Sequence, residues 1–191
     1  MSTIQERLAT LIPKRMRVLE KDPRGYPIPF VALRDKTGKA QFTINDARRT
    51  EKCRRSRLCS ICGNRLAKSV WFIGGIRCFV LENGAFIDGP MHYECGEYAL
   101  NVCPFLAVPN YSKRIDDALL TVSCTPLGLS VVQNKAVVAE QPECFGFGST
   151  EQFYTLTTTP GEWLYFVDRW DYVEWWHNGT SINAPDTMPV E

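Results

Sequence analysis

Histidine is scarce in this chain, with two in 191 residues, at positions 92 and 177. Acid–base mechanisms that lean on an imidazole have little to draw on. There is no dinucleotide fingerprint, no phosphate-cradling glycine loop and no nucleophile elbow, so the sequence offers no grounds for those chemistries. The apolar runs are far too short to span a bilayer. The opening residues, Met1-Ser2-Thr3-Ile4-Gln5-Glu6-Arg7, do not read as a secretory signal. The expectation is therefore a cytoplasmic protein without a membrane partner, whose cysteines are metal ligands or reduced thiols rather than disulfides. The Asn178-Gly179-Thr180 triplet, a glycosylation pattern elsewhere, carries no meaning in that compartment. No internal repeat or long linker interrupts the chain. Its 45% hydrophobic and 12% aromatic content is enough for one folded core.

Cysteine, by contrast, is plentiful: eight, at positions 53, 59, 62, 78, 95, 103, 124 and 144. Cys59-Ser60-Ile61-Cys62-Gly63 pairs two thiols at i, i+3, and His92-Tyr93-Glu94-Cys95 repeats that spacing after 29 intervening residues. Two such pairs are what a tetrahedral structural zinc site asks of a sequence. Gly63 supplies the positive φ that the turn after a Cys-x-x-Cys knuckle needs. The second pair opens an expected helix over 91–102, where i, i+3 residues share a face, and the positive end of that helix favours the Cys95 thiolate. Strands expected over 69–73 and 76–80 complete a treble-clef-like order of knuckle, hairpin and helix. The ligand set read here is Cys59, Cys62, His92 and Cys95, holding structural Zn²⁺. Cys53, six residues before Cys59, is the alternative ligand, and Cys103, in the apolar Cys103-Pro104-Phe105-Leu106 run, is a second candidate that reads better as a packed thiol.

The net charge of +1 hides an asymmetry. Residues 1–68 hold 17 of 22 Lys/Arg and 6 of 21 Asp/Glu, a net of +11, and the remainder of the chain carries −10. The densest run is Arg48, Arg49, Lys52, Arg54, Arg55 and Arg57, with Arg65 and Lys68 beyond the knuckle. Such polarity marks either a face for nucleic acid or two parts that attract each other.

In chain order, a short helix through Ile4, Leu8 and Leu11 precedes an irregular stretch over 14–29. A hairpin follows over 30–44 with its turn at Asp35-Lys36-Thr37-Gly38, and Asn45 caps a basic helix over 46–55. After Pro109 the pattern predicts a helix over 115–122, a hairpin over 129–139 and a loop over 140–150. Strands over 153–157 and 163–167 meet at Pro160-Gly161, and a loose tail occupies 181–191. The fold class expected is α+β: a single domain over 1–191, with a zinc-held core subdomain over 45–106, flanked by antiparallel hairpins, and a β-rich aromatic part over 110–180.

Arg24-Gly25-Tyr26-Pro27-x-Pro29, Cys59-x-x-Cys62-Gly63, a Gly-x-x-Cys strand ending at Cys78, His92-x-x-Cys95, Cys103-Pro104-Phe105-Leu106 and the late Val173-Glu174-Trp175-Trp176-x-x-Gly179 occur here in that order. Together they resemble a family of uncharacterised proteins from bacteriophages and their bacterial hosts, over about 12–179. In similar sequences positions 59, 62, 92 and 95 read as a zinc site, and no activity is implied. Similar sequences often continue into a charged C-terminal helix, where this chain has Ser181-Ile182-Asn183-Ala184-Pro185.

The enzymatic readings draw on few residues. A His-Asn-His-type nuclease would need a general-base histidine and metal ligands on one unit. With His92 on zinc, only His177, Asp88, Glu94 and Glu97 remain for it. A cysteine enzyme would have to bring Cys144 or Cys124 to His177, and the acidic trio Asp168, Asp171 and Glu174 reads as a solvated turn. The leading reading is a non-enzymatic binding protein that contacts DNA or RNA through Arg48, Arg49, Lys52, Arg54, Arg55, Arg57, Arg65 and Lys68. The alternative is a module that binds a host or phage protein, with Trp170, Trp175 and Trp176 as aromatic anchors.

Overall fold

Asp35 sets the first hairpin. Its carboxylate accepts from the Thr37 and Lys39 backbone N–H groups and from the Thr37 hydroxyl, and Gly38 takes φ +85° to close the turn. The computed structural model describes residues 12–82, 84–108, 142–159 and 162–185. Around that turn β1 (Ala32–Arg34) pairs antiparallel with β2 (Ala40–Asn45). The basic helix follows as α1 (Ala47–Ser56). Its cap is Asp46 rather than the expected Asn45: the Asp46 side chain accepts from Arg49 N at 2.9 Å, while Asn45 donates to Asp88. A carboxylate facing the helix N-terminus also gains from the local dipole, which an amide does not.

The stretch after the knuckle departs from the expected hairpin. Residues 70–75 form β3 (Val70–Gly75), but 76–80, read as a strand, form helix α2 (Ile76–Val80), capped at Gly75. The Gly74-Gly75 pair ends the strand, and the helical turn carries Phe79 over the sheet. Then come β4 (Ala85–Phe86), α3 (Tyr93–Val102) and the short α4 (Pro104–Ala107).

The true partner of β3 is β5 (Phe145–Thr150), in a stretch whose Pro142, Gly146 and Gly148 read as a loop. Those glycines mark close approach instead. A Cβ built at Gly146 would lie 2.5 Å from the Phe79 ring, and one at Gly148 2.6 Å from Trp170. On the opposite side of the strand Phe145 and Phe147 are buried. All six residues of β5 are therefore buried, as befits a central strand covered on both faces.

β6 (Phe153–Thr159), β7 (Glu162–Val167), β8 (Tyr172–His177) and β9 (Thr180–Ile182) complete the fold. The last replaces the first residues of the expected loose tail, because Asn178 and Gly179, at φ +48° and +74°, make the tight turn that returns the chain. The sheets run β3-β5-β8-β9 and β4-β7-β6, all antiparallel, and with the helices they make an α+β protein. Phe72 joins the two larger sheets, its ring 5.1 Å from Phe86 and 5.4 Å from Phe153. The other face of the four-stranded sheet packs Trp71 and Phe147 against Tyr93 of α3. The expected elements over 2–11, 115–122 and 129–139, the Pro160-Gly161 turn and Cys124 lie outside the described residues, as does the tail beyond Pro185. None of the described helices is long and apolar enough to cross a membrane.

Candidate metal centre

The knuckle is built by its own backbone. Gly63 N donates to Cys59 O, Cys59 N donates to Asn64 O, and Cys62 N points at Cys59 Sγ at 3.4 Å. Gly63 adopts φ +72°, as the turn requires. Two further contacts fix the knuckle against the second ligand pair: Ser60 N donates to Pro90 O and Ser60 Oγ to Gly89 O. Met91 then exchanges backbone hydrogen bonds with Trp71 of β3, and His92 becomes the N-cap residue of α3. The sheet edge thus sets the position of His92, and the first helical turn sets Cys95.

These elements bring Cys59, Cys62, His92 and Cys95 together, with one potential ligand atom from each and all four atoms within 4.8 Å of one another. This is the one such group of three or more closely spaced ligand residues among the described residues. Cys59 and Cys95 are fully buried and Cys62 nearly so. His92 Nε2 lies 3.0 Å from Arg65 O and Nδ1 lies 3.4 Å from Cys62 Sγ. A carbonyl only accepts, so Nε2 carries the proton and the Nδ1 lone pair faces the thiols. That is the orienting contact metal-bound histidines use.

The electrostatics also fit a cation. Hydrogen bonds from the Cys62 and Cys95 thiols hold Cys59 well down, to about 3, and the Cys95 thiol that donates to it is pushed up. Three buried sulfurs at this separation repel once ionised, and a bound divalent ion is what lets all three deprotonate. The residues present could therefore hold a metal ion.

Cys53 lies behind this group. Its thiol approaches Cys59 O at 3.9 Å, and burial, followed by the Cys59 and Cys62 sulfurs, raises it to about 12. Cys103 sits half-buried at the junction of α3 and α4. Neither joins the four. Phe30 clamps the knuckle from outside. Its N–H donates to Ile61 O, its carbonyl accepts from Arg49, and its ring covers Gly63. Sequence reasoning missed this residue, which no motif marks.

The eight cations divide into two sets. Arg54 forms a two-point ion pair with Glu51 and stacks 4.2 Å from the Trp163 ring, while Arg55 pairs with the same carboxylate. Arg57 donates to Ala67 O and Lys68 O, Lys68 pairs with Glu151, and Arg49 is tied to Phe30. Arg48, Lys52 and Arg65 are exposed and contact no carboxylate among the described residues.

The aromatic anchors fare differently from their expectation. Trp175 and Trp176 are buried within the sheet, and Trp170 packs 4.5 Å from Phe79, so the first two serve the core and present no anchor surface. His177 lies apart from the carboxylates weighed for catalysis and lines one pocket with Cys144. His177 Nδ1 lies 2.6 Å from Glu143 O and its Nε2 faces Asn178. Glu94 pairs with Arg15, and Glu97 accepts from the Tyr93 hydroxyl. Burial raises the Cys144 thiol, the opposite of activation. No protein-family model, curated protein or solved structure matches the chain.

Proposed function

We propose that this chain is a zinc-stabilised, non-enzymatic binding protein that contacts nucleic acid through the outer face of α1 and the adjoining knuckle. Zinc suits the Cys₃His donor set, and four protein ligands leave no open position for a substrate, so the ion's role is structural. The ligand plan, one pair on a knuckle and one at a helix start, is treble-clef-like, with a strand and helical turn between them in place of a hairpin. A cytoplasmic, phage-related setting belongs to the same proposal.

One observation carries the nucleic-acid reading. Arg48, Lys52 and Arg65 are exposed and pair with no acid among the described residues. Arg48, Lys52 and Arg55 fall at i, i+4 and i+7, one stripe of the helix. Like charges at that spacing oppose the helix by a few tenths of a kcal/mol, which a polyanion would offset. The footprint is thus smaller than the eight residues the sequence offers.

The test is binding of the zinc-loaded protein to labelled DNA and RNA at two salt concentrations. Affinity should fall steeply with salt, and Arg48→Glu with Lys52→Glu and Arg65→Glu should abolish it. Absence of binding at low salt overturns the reading.

A second reading, protein docking, is favoured by the outer face of sheet β4-β7-β6. There Tyr154 stacks on Phe166, and Tyr154, Leu156 and Ile87 are exposed. Such an interface would persist at high salt.

A further inference from the structure

All three aromatic residues of the cationic stretch 1–68, Tyr26, Phe30 and Phe42, carry a cation at the ring. The Arg24 guanidinium lies 5.1 Å from the Tyr26 centroid and 5.6 Å from that of Phe42. Arg49 and Lys52 lie 5.7 and 5.9 Å from that of Phe30. These four contacts fall between positions 24 and 52. Phe30 is spent on the knuckle, its ring over Gly63, but core packing does not account for Phe42, which belongs to neither buried cluster. Phe42 is 39% exposed on β2. The hairpin that bears it runs straight into α1 through Asn45 and Asp46. Arg24 is held in place by the Asp22 carboxylate at 2.8 Å, which fixes its guanidinium between the two rings.

Flat apolar faces set beside cations match one kind of nucleic acid better than another. A duplex hides its base faces and offers phosphates alone, for which the stripe would suffice. A single strand offers both bases to stack and phosphates to pair. We propose that the nucleic acid this surface takes is single-stranded, with an unpaired base stacking on Phe42, whose ring Arg24 orders, and phosphates meeting Lys52 and Arg48. The proposal rests on the nucleic-acid reading of α1 and adds the strandedness and the stacking residue.

The experiment is fluorescence anisotropy of the full zinc-loaded chain with labelled oligo(dT), oligo(U) and a mixed-sequence duplex. Phe42→Ala should weaken binding to single strands about tenfold or more and leave duplex binding unchanged, and Phe42→Trp should restore it. Metal content and circular dichroism equal to wild type confirm that Phe42→Ala folds, and Arg24→Ala provides an independent variant with the same expected loss. Tighter binding of either oligo(dT) or oligo(U) than of duplex supports the proposal and identifies the sugar preferred. Unchanged single-strand affinity in both variants, or a wild-type preference for duplex, overturns it while leaving the phosphate reading standing. Wild-type protein that binds none of the three at low salt removes both.

Discussion

The two ends of the described core are held by different means. Around the knuckle, the elements are short and the fixed points are four potential ligand atoms: the three sulfurs are placed by hydrogen bonds of their backbone N–H groups within a few residues, and the imidazole by Met91 on Trp71 and by Arg65 O. Around β5, order comes from rings. Phe79 and Trp170 fill the space above Gly146 and Gly148, and Phe147 and Trp71 pack against Tyr93 below. The first arrangement is local and directional, the second non-local and shape-dependent. They meet through Trp71 of β3, which bonds to Met91 on one side and pairs with Ser149 of β5 on the other, and through Tyr93 of α3, which stacks on Phe147. On the proposed zinc reading, losing the ion should therefore be felt in the sheet, whereas crowding the sheet need not release the ion.

The largest effect should come from the ligands. Cys95→Ala should release metal and unfold the knuckle, since structural zinc contributes on the order of 10 kcal/mol of folding free energy. Metal analysis and near-ultraviolet circular dichroism read this directly, and a metal-free variant of unchanged stability would refute the metal-held half of the comparison. Phe147→Ala removes a fully buried ring and should destabilise by roughly 3–5 kcal/mol in denaturant unfolding, with metal retained below the transition. Gly148→Ala drives a methyl into Phe79 and Trp170 and should lose about 1–3 kcal/mol. A neutral result would mean that the rings yield, and that β5 is less tightly covered than its glycines imply.

The smallest effect concerns charge. Burial, and less so the Glu97 carboxylate, pushes the pKa of Glu174 up. A carboxyl raised in the folded state contributes stability that is present below its unfolded value and is lost as pH rises through the folded one. Glu174→Gln should therefore raise Tm modestly at pH 7, by an amount that shrinks as pH falls toward the ordinary carboxylate range. A variant less stable than wild type at pH 7 would show that Glu174 gains more from Trp176 than burial takes away.

What was legible in the sequence was whatever depends on near neighbours. The i, i+3 spacing of Cys59–Cys62 and His92–Cys95, the positive φ of Gly63, the Asp35–Gly38 turn and the basic helix were all readable, because each is decided within one turn of chain. The strand β5 was not, since its Phe-Gly alternation has the look of a loop until Phe79 and Trp170 are in place. Residues 76–80 misled for a related reason: their apolar content suits a strand, yet the need to cover β5 draws them into a helical turn. The charge asymmetry divided in the same way. Sequence revealed the cationic stretch, but only three-dimensional contacts separated Arg54, Arg55 and Lys68, which pair with Glu51 and Glu151, from Arg48, Lys52 and Arg65, which meet no carboxylate among the described residues.

By itself, then, the sequence determined the identity of the four clustered ligand residues and the local turns that present them, because ligand spacing is a short-range property. The tertiary structure decided which strand lies beside β3, which tryptophans are core, and which cations remain available to a partner. Those outcomes depend on what a residue meets across the fold, which spacing along the chain does not encode.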